Sequence, residues 1–137
     1  MPIRVLIIDD SRLVRELLSA TLARFPDFQV VGEASDGKRG EQLAREFCPD
    51  VITMDVLMPM MGGIEAIELI MRNHPTPVVV LADLSEKDAN LAMEAMARGA
   101  VDVFPKPRQG MDEAAARGLA ETLRQIGRAS CRERVSS

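Results

Sequence analysis

Asp9 and Asp10, Asp55, and Lys106 are the residues of this sequence whose types could do chemistry together. Each follows a short apolar run: Arg4 to Ile8 precedes the aspartate pair, Asp50 to Met54 precedes Asp55, and Val101 to Phe104 lies just ahead of Lys106. A lone aspartate after a strand is commonly a turn residue or a helix cap. Three carboxylates gathered in one place behave differently. They repel one another, which either raises their pKa values or demands a cation, and a hard site built of oxygens with open positions suits Mg²⁺. An ammonium beside them would balance part of the same charge.

Such a site requires an architecture that brings distant positions together. Five strand candidates, Arg4 to Ile8, Gln29 to Glu33, Asp50 to Met54, Pro77 to Leu81 and Val101 to Phe104, alternate with helical patterns. That alternation implies a parallel sheet. Leu13, Val14, Leu17, Leu18, Thr21, Leu22 and Phe25 recur at three- and four-residue spacing, the stripe of an amphipathic helix lying on a sheet. Weaker patterns predict helices over Lys38 to Phe47, Gly63 to Arg72, Glu86 to Arg98 and Asp112 to Ile126, bounded by Gly, Pro or Asp. Ser85, three residues ahead of Asp88, reads as a capping box with Asp in place of Glu and marks the start of the fourth helix. The expected fold class is therefore α/β, five βα units around a five-stranded parallel sheet. Ligands of such sheets bind outside the carboxyl ends of the strands, where Asp9, Asp10, Asp55 and Lys106 all fall.

Length and composition fit this reading. A chain of 137 residues suits one domain, and 47% hydrophobic with 28% charged residues is the balance of an ordinary globular protein. The net charge of −4 comes without a Lys/Arg stripe up to residue 127, so nucleic-acid binding by this domain is not expected. No apolar run approaches the roughly 18 residues of a membrane span, and no membrane insertion is expected. Cys48 and Cys131 lack metal-ligand or redox spacing, and no basic segment followed by an apolar one opens the chain, which predicts a cytoplasmic protein. Cys48 is expected to pack as a small hydrophobe at a helix end, and His74, in Asn73-His74-Pro75, reads as a turn residue. Residues 128–137 are Arg- and Ser-rich with no apolar stripe, so the domain is placed at 1–127 and the remainder set aside as a disordered or non-native tail.

In order and spacing, Asp9-Asp10-Ser11, Asp55-Val-Leu-Met-Pro-Met-Met-Gly-Gly63 and Lys106-Pro107 resemble the receiver domains of two-component response regulators, from Ile3 to about Ile126. Within that family, Pro77 to Lys87 and Gly99 to Arg108 look most like the receiver half of chemotaxis protein-glutamate methylesterases. The resemblance implies a flavodoxin-like, doubly wound sheet in strand order 2-1-3-4-5. It also implies that Asp55 is the phosphoacceptor, that Asp10, Asp55 and the Leu57 carbonyl bind Mg²⁺, and that Asp9 holds metal-bound water. Lys106 would pair with the phosphoryl oxygens and be joined to Pro107 by a cis peptide. A sensor histidine kinase would donate the phosphoryl group, and a C-terminal output domain or partner protein would receive the signal. Phosphoryl transfer of this kind depends chiefly on positioning and charge neutralisation. Gly63 reads as serving the turn that starts the third helix. Met58 belongs to the motif, while Met60 and Met61 read as filling gaps.

Two positions depart from the family pattern. The Ser or Thr that usually ends strand four is Ala82 here, and the aromatic switch residue three before the lysine is Val103. Phosphate uptake is still expected, but its coupling to the outer face is expected to be weak. Asp83 reads as a solvated loop acid or as a charge that repels the phosphoryl group. Two other classes of function compete. A phosphorylation-independent interaction module of receiver fold is suggested by Ala82 and Val103. A Mg²⁺-dependent phosphohydrolase with a transient Asp nucleophile would be expected to carry Asp-x-Asp after strand one and a cap insertion, and the sequence has neither. No Gly-x-Ser-x-Gly elbow occurs, so any methylesterase catalysis would lie outside this chain. Self-phosphorylation and dephosphorylation are the only enzyme-like chemistry expected.

Overall fold

Side chains alternate across a strand, and in β1 (Ile3–Ile8) that alternation divides the molecule into two layers. Ile3, Val5 and Ile7 enter one apolar cluster, while Leu6 and Ile8 enter another on the opposite face of the sheet. The computed structural model describes residues 1–58, 62–83, 85–107 and 110–136, with side chains as far as residue 130. Strands and helices alternate throughout: β1, α1 (Arg12–Ala23), β2 (Phe28–Ala34), α2 (Gly37–Phe47), β3 (Val51–Asp55), α3 (Gly63–Asn73), β4 (Val78–Ala82), α4 (Glu86–Arg98), β5 (Asp102–Pro105) and α5 (Glu113–Ser136). The five strands are parallel in the order β2-β1-β3-β4-β5, the flavodoxin-like order that the resemblance implied.

β3 and β4 are buried along their whole length, as near-continuous aliphatic strands covered on both faces must be. On one face, Val14, Leu18 and Leu22 of α1 and Leu119 and Leu123 of α5 cover Val51, Val79 and Leu81. On the other, α2, α3 and α4 present Leu43, Ile67, Ile70 and Ala95 to Ile52, Met54 and Val80. Helix α1 starts where Ser11 Oγ accepts the Val14 N–H at 3.3 Å, which satisfies one of the first-turn donors. No described helix is long and apolar enough to cross a membrane.

Several expectations change in detail. β4 and β5 each extend one residue further than predicted, so Ala82 lies inside the ladder, opposite Pro105. The backbone of α5 runs on to Ser136, past the expected stop at Ile126. Arg, Ala and Glu favour the helix there, and Gly127 has a packing reason: a Cβ would stand 2.3 Å from Ile3 Cγ2. Cys48 is exposed rather than packed, because it ends α2 in the left-handed conformation at φ 46° and turns outward. The Lys106–Pro107 peptide is trans, the form favoured before proline by about 0.5–1 kcal/mol. Pro59, Met60, Met61 and the Cys131 side chain lie outside the described residues.

Candidate functional site

Strand register brings the predicted site together. Ile8 pairs with Met54, so Asp9 and Asp55 come next on adjacent strands. Both share the parity of Val5, Ile7 and Val51 and so belong to the face covered by α1 and α5. Asp9 is 0% exposed and Asp55 1%, whereas Asp10 is exposed. Carboxylate oxygens of Asp9, Asp10 and Asp55 lie within 4.8 Å of one another. Lys106 follows Pro105 and enters from the far side of β4: its Nζ donates to Asp55 Oδ2 at 2.8 Å and stands 3.7 Å from Asp9 Oδ1. Leu57, just beyond β3, donates its N–H to Asp55 Oδ1 at 3.2 Å.

The turn after β1 is held at several points. The Asp9 N–H donates to the Ala34 carbonyl at 2.9 Å, and Asp9 Oδ1 accepts the Ser11 N–H at 2.8 Å. Arg15 Nη1 donates to the Asp9 carbonyl at 2.7 Å, while its Nε faces Glu33 of β2 at 3.5 Å. Sequence reasoning missed Arg15. Its only signal is position, one turn into the helix that Ser11 caps, where a long cation can reach back over the turn. Asp9 Oδ2 is buried and has no hydrogen-bond partner among the described residues. An orphaned buried oxygen within reach of two further carboxylates is a donor set that fits a hard divalent cation.

Electrostatics agree with the crowding. Burial, with the Asp9 charge adding to it, raises the Asp55 carboxyl to about 7 against the hydrogen bond from Lys106. Burial also raises Asp9, opposed by the Ser11 N–H and by Lys106. Burial alone would lower Lys106, but its hydrogen bond to Asp55 and the charges of Asp55, Asp9 and Asp10 outweigh that and raise it. The acids hold their protons chiefly because they are buried, and the ammonium holds its proton because three carboxylates face it.

Gly63 begins α3 directly over β3. A Cβ there would lie 2.6 Å from the Asp55 carbonyl oxygen and 3.0 Å from Val56 Cα, so the glycine serves close approach rather than an unusual turn. Ala82 and Val103 fall on the opposite face, towards α4, and border an open cavity of about 440 Å³ lined also by Met93 and Met96. Ser85 Oγ accepts the Asp88 N–H at 3.2 Å, the predicted half of the capping box. The Asp88 carboxylate instead accepts the N–H of Asp83 at 2.9 Å. His74 is exposed and closes α3, the helix that leads away from Asp55.

Residues 5–116 match the response regulator receiver domain. The chain is 42% identical over 125 residues to protein-glutamate methylesterase/protein-glutamine glutaminase 1 of Xanthomonas campestris pv. campestris, covering 91% of this chain and 34% of that protein. It is 41% identical over 138 residues to the corresponding protein of the group 3 operon of Rhodopseudomonas palustris, covering 98% and 38%. The chain thus spans about a third of the length of these curated relatives. Among solved structures, the response regulator domain of Thermotoga maritima CheB is 41% identical with a TM-score of 0.82, covering 93% of this chain and 98% of that one. The REC domain of AraT, a response regulator from Geobacillus stearothermophilus, is 26% identical with a TM-score of 0.79, covering 98% and 99%.

Proposed function

The chain belongs to the response regulator receiver domain family, and on that premise we propose that it is a phosphoacceptor module in which Asp55 takes a phosphoryl group from a sensor histidine kinase. One observation carries the reading: a buried Asp55 meets Lys106 at 2.8 Å inside a cluster completed by Asp9 and Asp10. A carboxylate oxygen of Asp55 attacks the phosphorus of a phosphohistidine in line with the P–N bond. That bond breaks, its electron pair leaves on the imidazole nitrogen, and an acyl phosphate remains on Asp55. Lys106, already against the acceptor, pairs with the phosphoryl oxygens through a charge-assisted contact. Asp9, Asp10 and Asp55 would hold Mg²⁺ together with the Leu57 carbonyl, and the metal when bound supplies positive charge to the phosphoryl oxygens. Attack of water on the acyl phosphate returns the free carboxylate.

The receiver unit is assigned to residues 1–127, since Ile126 is the last described side chain packed against either core cluster; residues 128–137 are left outside it. By similarity to the relatives, the proposed setting is chemotaxis signalling in the cytoplasm, with an output domain or partner protein reading the phosphorylated state. No methylesterase activity is assigned to these residues. A second reading, a receiver-fold interaction module that does not switch, is favoured by Ala82 and Val103, which offer neither hydroxyl nor ring to a phosphoryl-dependent rearrangement.

The test is intact-mass measurement after incubation with Mg²⁺ and acetyl phosphate. Wild type should gain one phosphoryl group and Asp55→Asn none; full labelling of Asp55→Asn would move the acceptor elsewhere. Calorimetric Mg²⁺ titration should show saturable binding that Asp10→Asn weakens, and equal affinities would remove Asp10 from the site.

A further inference from the structure

We propose that Asp88 is a positioning residue of the phosphoryl site: it holds the Asp83 backbone N–H that an anion on Asp55 would otherwise recruit. The inference rests on the assignment of Asp55 as phosphoacceptor. Asp55 pairs with Leu81, so the Asp83 N–H lies two residues further along the neighbouring strand, at the same carboxyl end of the sheet. Two residues of strand are about 6–7 Å, which a phosphoryl group on the Asp55 carboxylate shortens. Ala82 offers that group no hydroxyl, so the loop must supply donors from Asp83 onward.

The first of those donors, the Asp83 N–H, is engaged. The Asp88 carboxylate, in the first turn of α4 and only 3% exposed, accepts the Asp83 N–H at 2.9 Å. Ser85 Oγ is fixed over the same turn by the Asp88 N–H at 3.2 Å. In a capping box the acid at this position reaches back to the N–H of the capping residue itself, here Ser85. The Asp88 carboxylate binds two residues earlier, to a donor outside the helix. The helix start therefore does not account for the bond; its effect falls on the loop. A charged acceptor makes about the strongest hydrogen bond a backbone N–H can find, so the phosphoryl group must displace a carboxylate to gain this donor. The resting loop is stabilised and the phosphorylated one is not.

Beryllofluoride with Mg²⁺ serves as the phosphoryl probe on the full chain, its affinity read from backbone amide NMR titration. Asp88→Asn keeps shape and loses charge, and Asp88→Ala removes the acceptor. Ser85→Ala breaks the helix cap alone, and Glu86→Gln removes a charge from the same turn without touching Asp83. Both Asp88 variants should bind beryllofluoride about tenfold more tightly than wild type, with Asp88→Ala also moving the Asp83 amide resonance in the free protein. Ser85→Ala and Glu86→Gln should stay within about twofold of wild type on the same scale. If wild type binds the probe and the Asp88 variants bind it no better, or if Ser85→Ala or Glu86→Gln matches them, Asp88 is only a cap or a diffuse charge and the inference is overturned. If no variant binds the probe and Asp55 takes no phosphoryl label, the acceptor assignment itself fails and takes the inference with it.

Discussion

Lys106 reaches Asp55 across the width of a strand. The two residues close β5 and β3, with β4 between them, yet Nζ donates to Oδ2 at 2.8 Å. The lysine starts from a fixed point, because its own N–H donates to the Ala82 carbonyl at 3.0 Å, and its four-carbon stem covers the remaining distance. The ion pair therefore ties together the strand ends that carry the carboxylate and the ammonium.

Removing that cation should change the Asp55 carboxyl in a defined direction. The hydrogen bond and charge of Lys106 are what hold Asp55 down against burial and Asp9. In metal-free Lys106→Met, the Asp55 carboxyl should titrate above its wild-type value of about 7, read from the pH dependence of its ¹³Cγ resonance. An unchanged midpoint would show that the contact is not made in solution.

A raised carboxyl also sets how stability follows pH. Between the unfolded value of about 4 and the native value of about 7, the folded protein keeps a proton on Asp55 that the unfolded chain has released. The contribution of this group therefore falls as pH rises through that window. Asp27, which Arg124 holds below the usual carboxylate range, has the opposite sign: its contribution is lost only as pH falls through its lowered native value. Metal-free wild type should thus lose melting temperature relative to Asp55→Asn between about pH 4 and pH 7. Mg²⁺, which binds the carboxylate form, should raise the wild-type melting temperature more at the higher pH. Equal increments at both would exclude Asp55 ionisation as the linked event.

How far the sequence foretold this site follows from which interactions have a period. Asp9 and Asp55 close buried apolar strands, and the two-residue alternation of such strands is enough to bring them to one end and one face. Lys106 joined them through motif spacing. The Arg15 contact had no such signature, since a backbone carbonyl leaves no mark on the sequence that binds it. The Asp88 bond was half legible: the capping-box pattern placed Ser85 correctly but pointed the acid at the wrong N–H. The length of α5 was misread because residues 128–137 lack an apolar stripe, although their Arg, Ala and Glu content favours helix locally.

Gly63 gives a test of packing around Asp55. Alanine would favour the helix by about 1 kcal/mol over glycine. A Cβ 2.6 Å from the Asp55 carbonyl oxygen must instead push on backbone, and forced insertions of this kind cost about 1–3 kcal/mol. The steric term should win, so Gly63→Ala should unfold at lower urea concentration and bind Mg²⁺ more weakly. A variant more stable than wild type would mean that α3 can move off the strand at little cost.

On the proposed phosphoacceptor reading, Ala82 decides how strongly phosphorylation can be felt beyond the site. A hydroxyl at this strand end would gain a charge-assisted hydrogen bond only when a phosphoryl group is present, worth about 1.5–3 kcal/mol. A state-dependent term of about 1.4 kcal/mol already shifts a two-state loop tenfold, so its loss leaves the phosphorylated protein close to its resting conformation. Space is available for the missing group: Ala82 borders an open cavity of about 440 Å³ that also reaches Val103 and Met96. Of the two substitute donors, the Asp83 N–H is already bonded to Asp88, and Ser85 Oγ is held over the first turn of α4 by the Asp88 N–H that it accepts. Beryllofluoride and Mg²⁺ should therefore produce larger backbone amide shift changes around Val103 and α4 in Ala82→Thr than in wild type. If the wild-type changes there are already as large as those of the variant, the loop engages the phosphoryl group without a hydroxyl, and Ala82 does not weaken the switch.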